Sequence, residues 1–136
     1  SVEYWGVGSE CTWGGTQWVT TLAYKDERFG SAGDSAKDFE DKYGYEPPYQ
    51  AAESSAAVQV FADAVQRAGS LDKNAVRDAL AATDMETFYG HIKFDDTGKN
   101  IAKPMALYQV LDGEFKIVAP SYVAETQAVI PRPAMT

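Results

Sequence analysis

The sequence predicts an α/β fold in which three consecutive helices lie between strand-forming ends and an antiparallel hairpin closes the chain. Two observations predict it. Residues 31–80 carry apolar side chains at the 3.6-residue period of a helix, and from Thr87 onward the period falls to two. A strand, three helices and then strands make an α/β layer, with too few strands for a complete doubly wound domain.

Taken in order, residues 2–7 are rich in β-branched and aromatic side chains and read as a buried strand ended by Gly8 and Ser9. Residues 8–30 have no helical period and read as a long loop carrying Trp13 and Trp18. Such loops are functional or cross between lobes more often than not, although both tryptophans could equally plug core gaps. Residues 31–43 place Ala32, Ala36, Phe39 and Tyr43 on one helical face, with Asp34 in the first turn and Gly44 at the C-terminal cap. Residues 45–48 form a rigid, proline-set connector.

Residues 47–69 read as the longest helix and the element on which the rest is organised. Pro47 and Pro48 can precede or open a helix but cannot lie within one. Ala57, Phe61, Ala64, Val65 and Ala68 then make an apolar stripe expected to dock on a sheet, while Glu53, Gln59, Asp63, Gln66 and Arg67 face water. Gly69 stops the helix. Asp72 caps a third helix with Ala75, Val76, Ala79 and Leu80 on its apolar face. Residues 89–94 alternate as a strand, and residues 95–98 are a turn by composition. Residues 105–111 and 114–118 form a hairpin around Asp112-Gly113, Pro120 ends it, and Pro131-Arg132-Pro133 belongs to an extended tail.

The chain has 136 residues, 45% of them hydrophobic and 24% charged, enough for one ordinary domain with a core. Its net charge of -8 argues against nucleic acid as a partner, because phosphate binding needs clustered Lys and Arg. No apolar run approaches the ~20 residues needed to span a bilayer. A start in mid-strand, without Met or a signal segment, suggests a piece cut from the later part of a longer chain.

Six blocks in a fixed order carry a resemblance: residues 39–49 (FEDKYGYEPPY), 56–59 (AAVQ), 68–72 (AGSLD), 76–80 (VRDAL), 87–95 (TFYGHIKFD) and 109–113 (QVLDG). Together they resemble the C-terminal part of periplasmic solute-binding proteins of the branched-chain amino acid type, which serve ABC importers. The resemblance implies an incomplete type I periplasmic binding fold. It would hold segments of both three-layer lobes and the C-terminal hairpin, with N-terminal-lobe helices in residues 14–88 and C-terminal-lobe segments in residues 1–7 and 99–136. Chain crossings would fall near residues 5–13 and 90–98. Such a piece needs the remainder of its own chain, or a second copy, to cover its apolar faces.

The resemblance further implies capture of a small amino acid-like or aromatic acid solute in an inter-lobe cleft by hinge closure, delivery to a membrane permease, no cofactor and no chemistry of its own. The location would be periplasmic or extracellular, lipid-anchored in a Gram-positive cell, with a signal peptide in the precursor. The family's contact in this region lies just ahead of the long helix, so Tyr49 and Gln50, with Glu53 one turn on, are the expected ligand contacts. A helix start attracts a carboxylate, and an aromatic beside it packs on an apolar group. Trp13 is the fourth candidate. Ser55 departs from the Tyr that many relatives carry, which alters packing there.

Other constellations are weaker. His91 is the single histidine, with no second His or paired Cys to build a zinc site, and no G-x-S-x-G elbow supports a hydrolase. Cys11, beside the acidic Glu10, is a poor candidate nucleophile. Gly6-Val7-Gly8 lacks the third glycine of a dinucleotide loop, and residues 95–100 lack the spacing of a calcium loop. The alternative function class is a ligand-sensing regulatory domain on the same bilobal fold.

Overall fold

The computed structural model describes residues 6–132 and divides the chain into two units. One unit holds the described residues up to Gln17 and those from Met105 onward; the other spans Trp18–Pro104.

The first unit is a three-stranded antiparallel sheet in the order β1–β6–β7, formed by Trp13–Thr16, Ala106–Leu111 and Glu114–Ala119. Asp112 and Gly113 join the last two strands with positive φ angles of 55° and 75°, the twist-matched two-residue hairpin that an Asp-Gly pair favours. Glu10 secures this turn from a hundred residues away: its carboxylate accepts from the amides of Asp112 and Gly113 at 2.8 and 3.1 Å. Gln109, fully buried, clamps the tail. Its Oε1 accepts from the Val129 amide at 2.9 Å, and its Nε2 donates to the carbonyls of Val129 and Cys11.

Two expectations fail in the first thirty or so residues. Residues 6 and 7 of the expected first strand belong to a 3₁₀ turn, Gly6–Ser9, and residues 2–5 lie outside the described residues. The expected loop over residues 8–30 contains β1 and a two-residue pair, β2 (Lys25–Asp26) with β3 (Gly30–Ser31). The sequence WGGT of β1 has little β propensity; its partner strand supplies the ladder that propensity did not announce.

The second unit carries the helices. α1 (Ala32–Tyr43) opens with a reciprocal capping box between Ser31 and Asp34 and closes at a left-handed Gly44. α2 (Tyr49–Ala68) starts after Pro48, which makes no side-chain cap, and stops at a left-handed Gly69. α3 (Lys73–Ala81) is capped by Asp72, whose Oδ1 accepts from the amides of Asn74 and Ala75. Residues 84–93 form a hairpin of β4 (Asp84–Thr87) and β5 (Gly90–Lys93); only the second strand was expected.

α2 is turned relative to its expected orientation. Its buried residues are Ala52, Ala56, Val60 and Ala64, while Phe61 is 53% exposed and Ala57 and Val58 also face outward. The helix is apolar on more than one face, and the bulky partners Trp18, Phe29 and Phe88 select the face whose alanines permit close approach. Two residues of the expected wet face turn to structural work. Gln59 is half-buried and bonds the Asp26 side chain, and Arg67 reaches from α2 to the Ala79 carbonyl and the Thr83 hydroxyl while paired with Asp63.

The core of this unit centres on Phe88. Its ring is 1% exposed, edge-on to Trp18 at 6.3 Å and tilted on Phe29 at 5.1 Å. Its carbonyl accepts from the Trp18 indole N–H at 3.1 Å, and its amide donates to Asp26 Oδ2 at 2.6 Å. Asp26 Oδ1 also accepts from the amides of Arg28 and Phe29. Burial works against the Asp26 charge, but the amides of Phe29, Phe88 and Arg28 and the Gln59 side chain outweigh it and hold the carboxyl below its usual range.

Asp26→Ala therefore orphans a buried amide at Phe88 and should destabilise the protein by about 1–3 kcal/mol in urea denaturation. Because the folded-state pKa is depressed, the wild-type advantage is fully present above the ordinary Asp range of about 3.9. It is lost as pH falls through the lower folded value, and the variant should lack that component of acid sensitivity. Coincident denaturation curves for the two proteins would refute the assignment.

Candidate functional site

Of the four residues expected to touch a ligand, three share the first two turns of α2 and the fourth lies in the other unit. Tyr49 is the first residue of α2 and 40% exposed, and Gln50 and Glu53 are exposed beside it. Trp13 begins β1, 42% exposed and paired opposite Gln109. Trp18, by contrast, is 3% exposed and belongs to the core.

The structure adds two residues to the α2 group that sequence reading missed. Tyr89 follows Phe88 in the β4–β5 turn and is 5% exposed. Burial, and after it the negative charge of Glu53 and the neighbouring Tyr49, push its phenol up to about 12. Lys103 lays its Nζ over the Tyr89 ring at 3.8 Å and over the Tyr24 ring at 5.9 Å. Burial lowers the Lys103 ammonium to about 8, against the opposing pull of Glu53.

Local geometry makes this possible. The buried Thr87 hydroxyl donates to the Gly90 carbonyl at 2.7 Å and accepts from the amides of Tyr89 and Gly90, which fixes the turn that presents Tyr89. Gly90 has a φ of +133°, and a Cβ there would fall 2.6 Å from Lys103 Cδ. The glycine is what lets the lysine stem lie across the turn. No alternating or helical pattern marks residues 99–104, so the sequence offered no signal for Lys103.

A separate half-open cavity of about 270 Å³ lies between α1 and α2. Trp18, Phe29 and Phe39 line it, with Ser55 on its wall.

His91, half-buried on β5, places its ring nitrogens 2.6 Å from Asp84 Oδ1 and 2.7 Å from Glu86 Oε1. Lys93 reaches the other Asp84 oxygen at 2.6 Å. The hydrogen bond from Lys93, and then that from His91, hold the Asp84 carboxyl below its usual range. Among the described residues, no His, Cys, Asp and Glu cluster could hold a metal ion, and no helix is long and apolar enough to cross a membrane. Cys11 is buried, with its amide donating to the Val110 carbonyl at 2.8 Å.

Residues 9–114 match the periplasmic binding protein family. The chain belongs to that family. Its fold aligns with a leucine-binding protein from Thermotoga maritima at a TM-score of 0.71 and 26% identity, covering 87% of this chain and 33% of that one. A protein provisionally assigned as a branched-chain amino acid ABC transporter from Rhodospirillum rubrum gives 0.65 at 28% identity, covering 87% and 34%. A solute-binding protein of an ABC transporter from R. palustris, solved with benzoate, shares the fold at 0.68 and 17% identity, covering 95% and 36%. The chain thus spans about a third of these relatives and carries an incomplete share of the type I periplasmic binding fold.

The Lys103 ammonium has a lower pKa folded than unfolded, so it costs stability while charged, and that cost is relieved as pH rises from about 8 toward the ordinary Lys value. After reductive methylation, the Lys103 resonance should titrate well below the ordinary Lys value in ¹³C NMR. Titration at the ordinary Lys value would contradict the burial assigned here.

Proposed function

We propose that this chain is the C-terminal part of the solute-binding component of an ABC importer. The observation that carries the reading is the match over residues 9–114, joined to a 26%-identical relative named for leucine binding. Residues 14–88 supply helices to the N-terminal lobe, and residues 1–7 and 99–136 supply segments of the C-terminal lobe, with crossings near 5–13 and 90–98. The complete receptor captures a small amino acid-like or aromatic acid solute between its lobes, and the bound solute favours the closed state by bridging them.

In this reading Tyr49, Gln50 and Glu53 contact the solute, with Trp13 as a further contact. The α2 start supports it: a helix N-terminus without a side-chain cap, beside an exposed ring, suits a carboxylate attached to an apolar group. The exposed Val58 and Phe61 on the outer face of α2 suit coverage by the remainder of the receptor chain or by a second copy. The receptor works in the periplasm or outside the cell, lipid-anchored in a Gram-positive cell, reached through a precursor signal peptide. It hands solute to a membrane permease and performs no catalysis.

A thermal-shift screen of the full-length protein against amino acids and aromatic acids should find stabilising members. Tyr49→Ala and Gln50→Ala should each weaken the best of them by about tenfold, or ~1.4 kcal/mol. A flat screen would oppose the solute class, and variants binding as well as wild type would remove both residues from the site.

A further inference from the structure

Lys103 is the group on this surface that the family reading does not explain. It stands with Tyr89 and Tyr24 beneath it and within the electrostatic reach of Glu53 from α2, so it shares a patch with the residues proposed to hold the solute. Tyr89 in turn feels both Glu53 and Tyr49. Two elements and a connecting segment therefore converge: the start of α2, the β4–β5 turn, and residues leading out of β5.

We infer that Lys103 is a specificity-determining residue of the solute site, whose ammonium binds the carboxylate of the solute while the Tyr89 and Tyr24 rings hold its stem in place. This deepens the solute-receptor reading and rests on it. Three features of the geometry carry the inference. The lysine is half-buried, so a carboxylate meets it in a setting of reduced dielectric, where Coulomb attraction is strongest. Its position is fixed in advance by Gly90, against whose backbone the stem lies, and by a ring face 3.8 Å below Nζ, so little order is lost on binding. Glu53 stands on the same patch as an opposite charge, which suits the ammonium of an amino acid whose carboxylate sits on Lys103.

The charged groups facing Lys103 set the pH behaviour. Glu53 acts on it from α2, Tyr89 from the β4–β5 turn and Tyr24 from the segment before β2. Burial holds the ammonium near 8, and a bound carboxylate favours its charged form. Carboxylate affinity should therefore fall by about tenfold between pH 7 and pH 9 as Lys103 loses its proton.

The test is calorimetry on the full-length protein, with benzoate and leucine as probes. Wild type should bind at least one probe at pH 7 and lose about tenfold by pH 9. Lys103→Met should bind that probe at least about tenfold more weakly at pH 7, with a flat pH profile, and Lys103→Arg should restore binding at pH 9. A purely packing role would leave the pH profile unchanged in Lys103→Met. Lys103→Met with wild-type affinity and pH profile would overturn this assignment alone. Wild type that binds neither probe would overturn the proposed solute class and this assignment with it.

Discussion

The helical unit depends on what holds Phe88. Its amide and carbonyl sit in a tight turn that supplies neither with a ladder partner, and a buried backbone group without a partner is costly. Two side chains more than sixty residues away meet that requirement, Asp26 at the amide and Trp18 at the carbonyl. The Phe88 ring then fills the space between Trp18, Phe29 and the alanines of α2. One residue thereby joins the segment before β2, the long helix and the β4–β5 hairpin through both hydrogen bonding and packing.

The candidate site follows from that arrangement. Tyr89, the next residue of the same turn, packs in the same core cluster and carries Lys103 over its ring. The Thr87 hydroxyl closes the turn, and Gly90 makes room for the lysine stem. The same turn that completes the core thus presents an aromatic platform beside Tyr49 and Glu53. In the sheet unit, Glu10 and Gln109 act similarly: each uses a side chain to satisfy backbone groups of a distant turn or tail.

Much of this was legible in the sequence, and the misses have physical causes. Helix limits, the caps at Asp72, Gly44 and Gly69, and the Asp112-Gly113 hairpin are local signals and were readable. The facing of α2 was not, because Ala and Val occur around much of its circumference and only the shape of its partners chooses a face. β1 and β4 were missed because WGGT and DMET gain their strand character from a partner across the ladder. Tyr49, Gln50 and Glu53 came from resemblance at a helix start. Lys103 came from three-dimensional proximity alone, which a chain without periodicity in that segment could not announce.

Hydrogen exchange of the Phe88 amide, resolved by NMR, addresses the central constraint most directly. Held by the Asp26 carboxylate inside the aromatic core, it should exchange as slowly as the most protected amides of α2, in the global-unfolding regime. Exchange at the rate of a solvent-exposed turn amide would contradict the account.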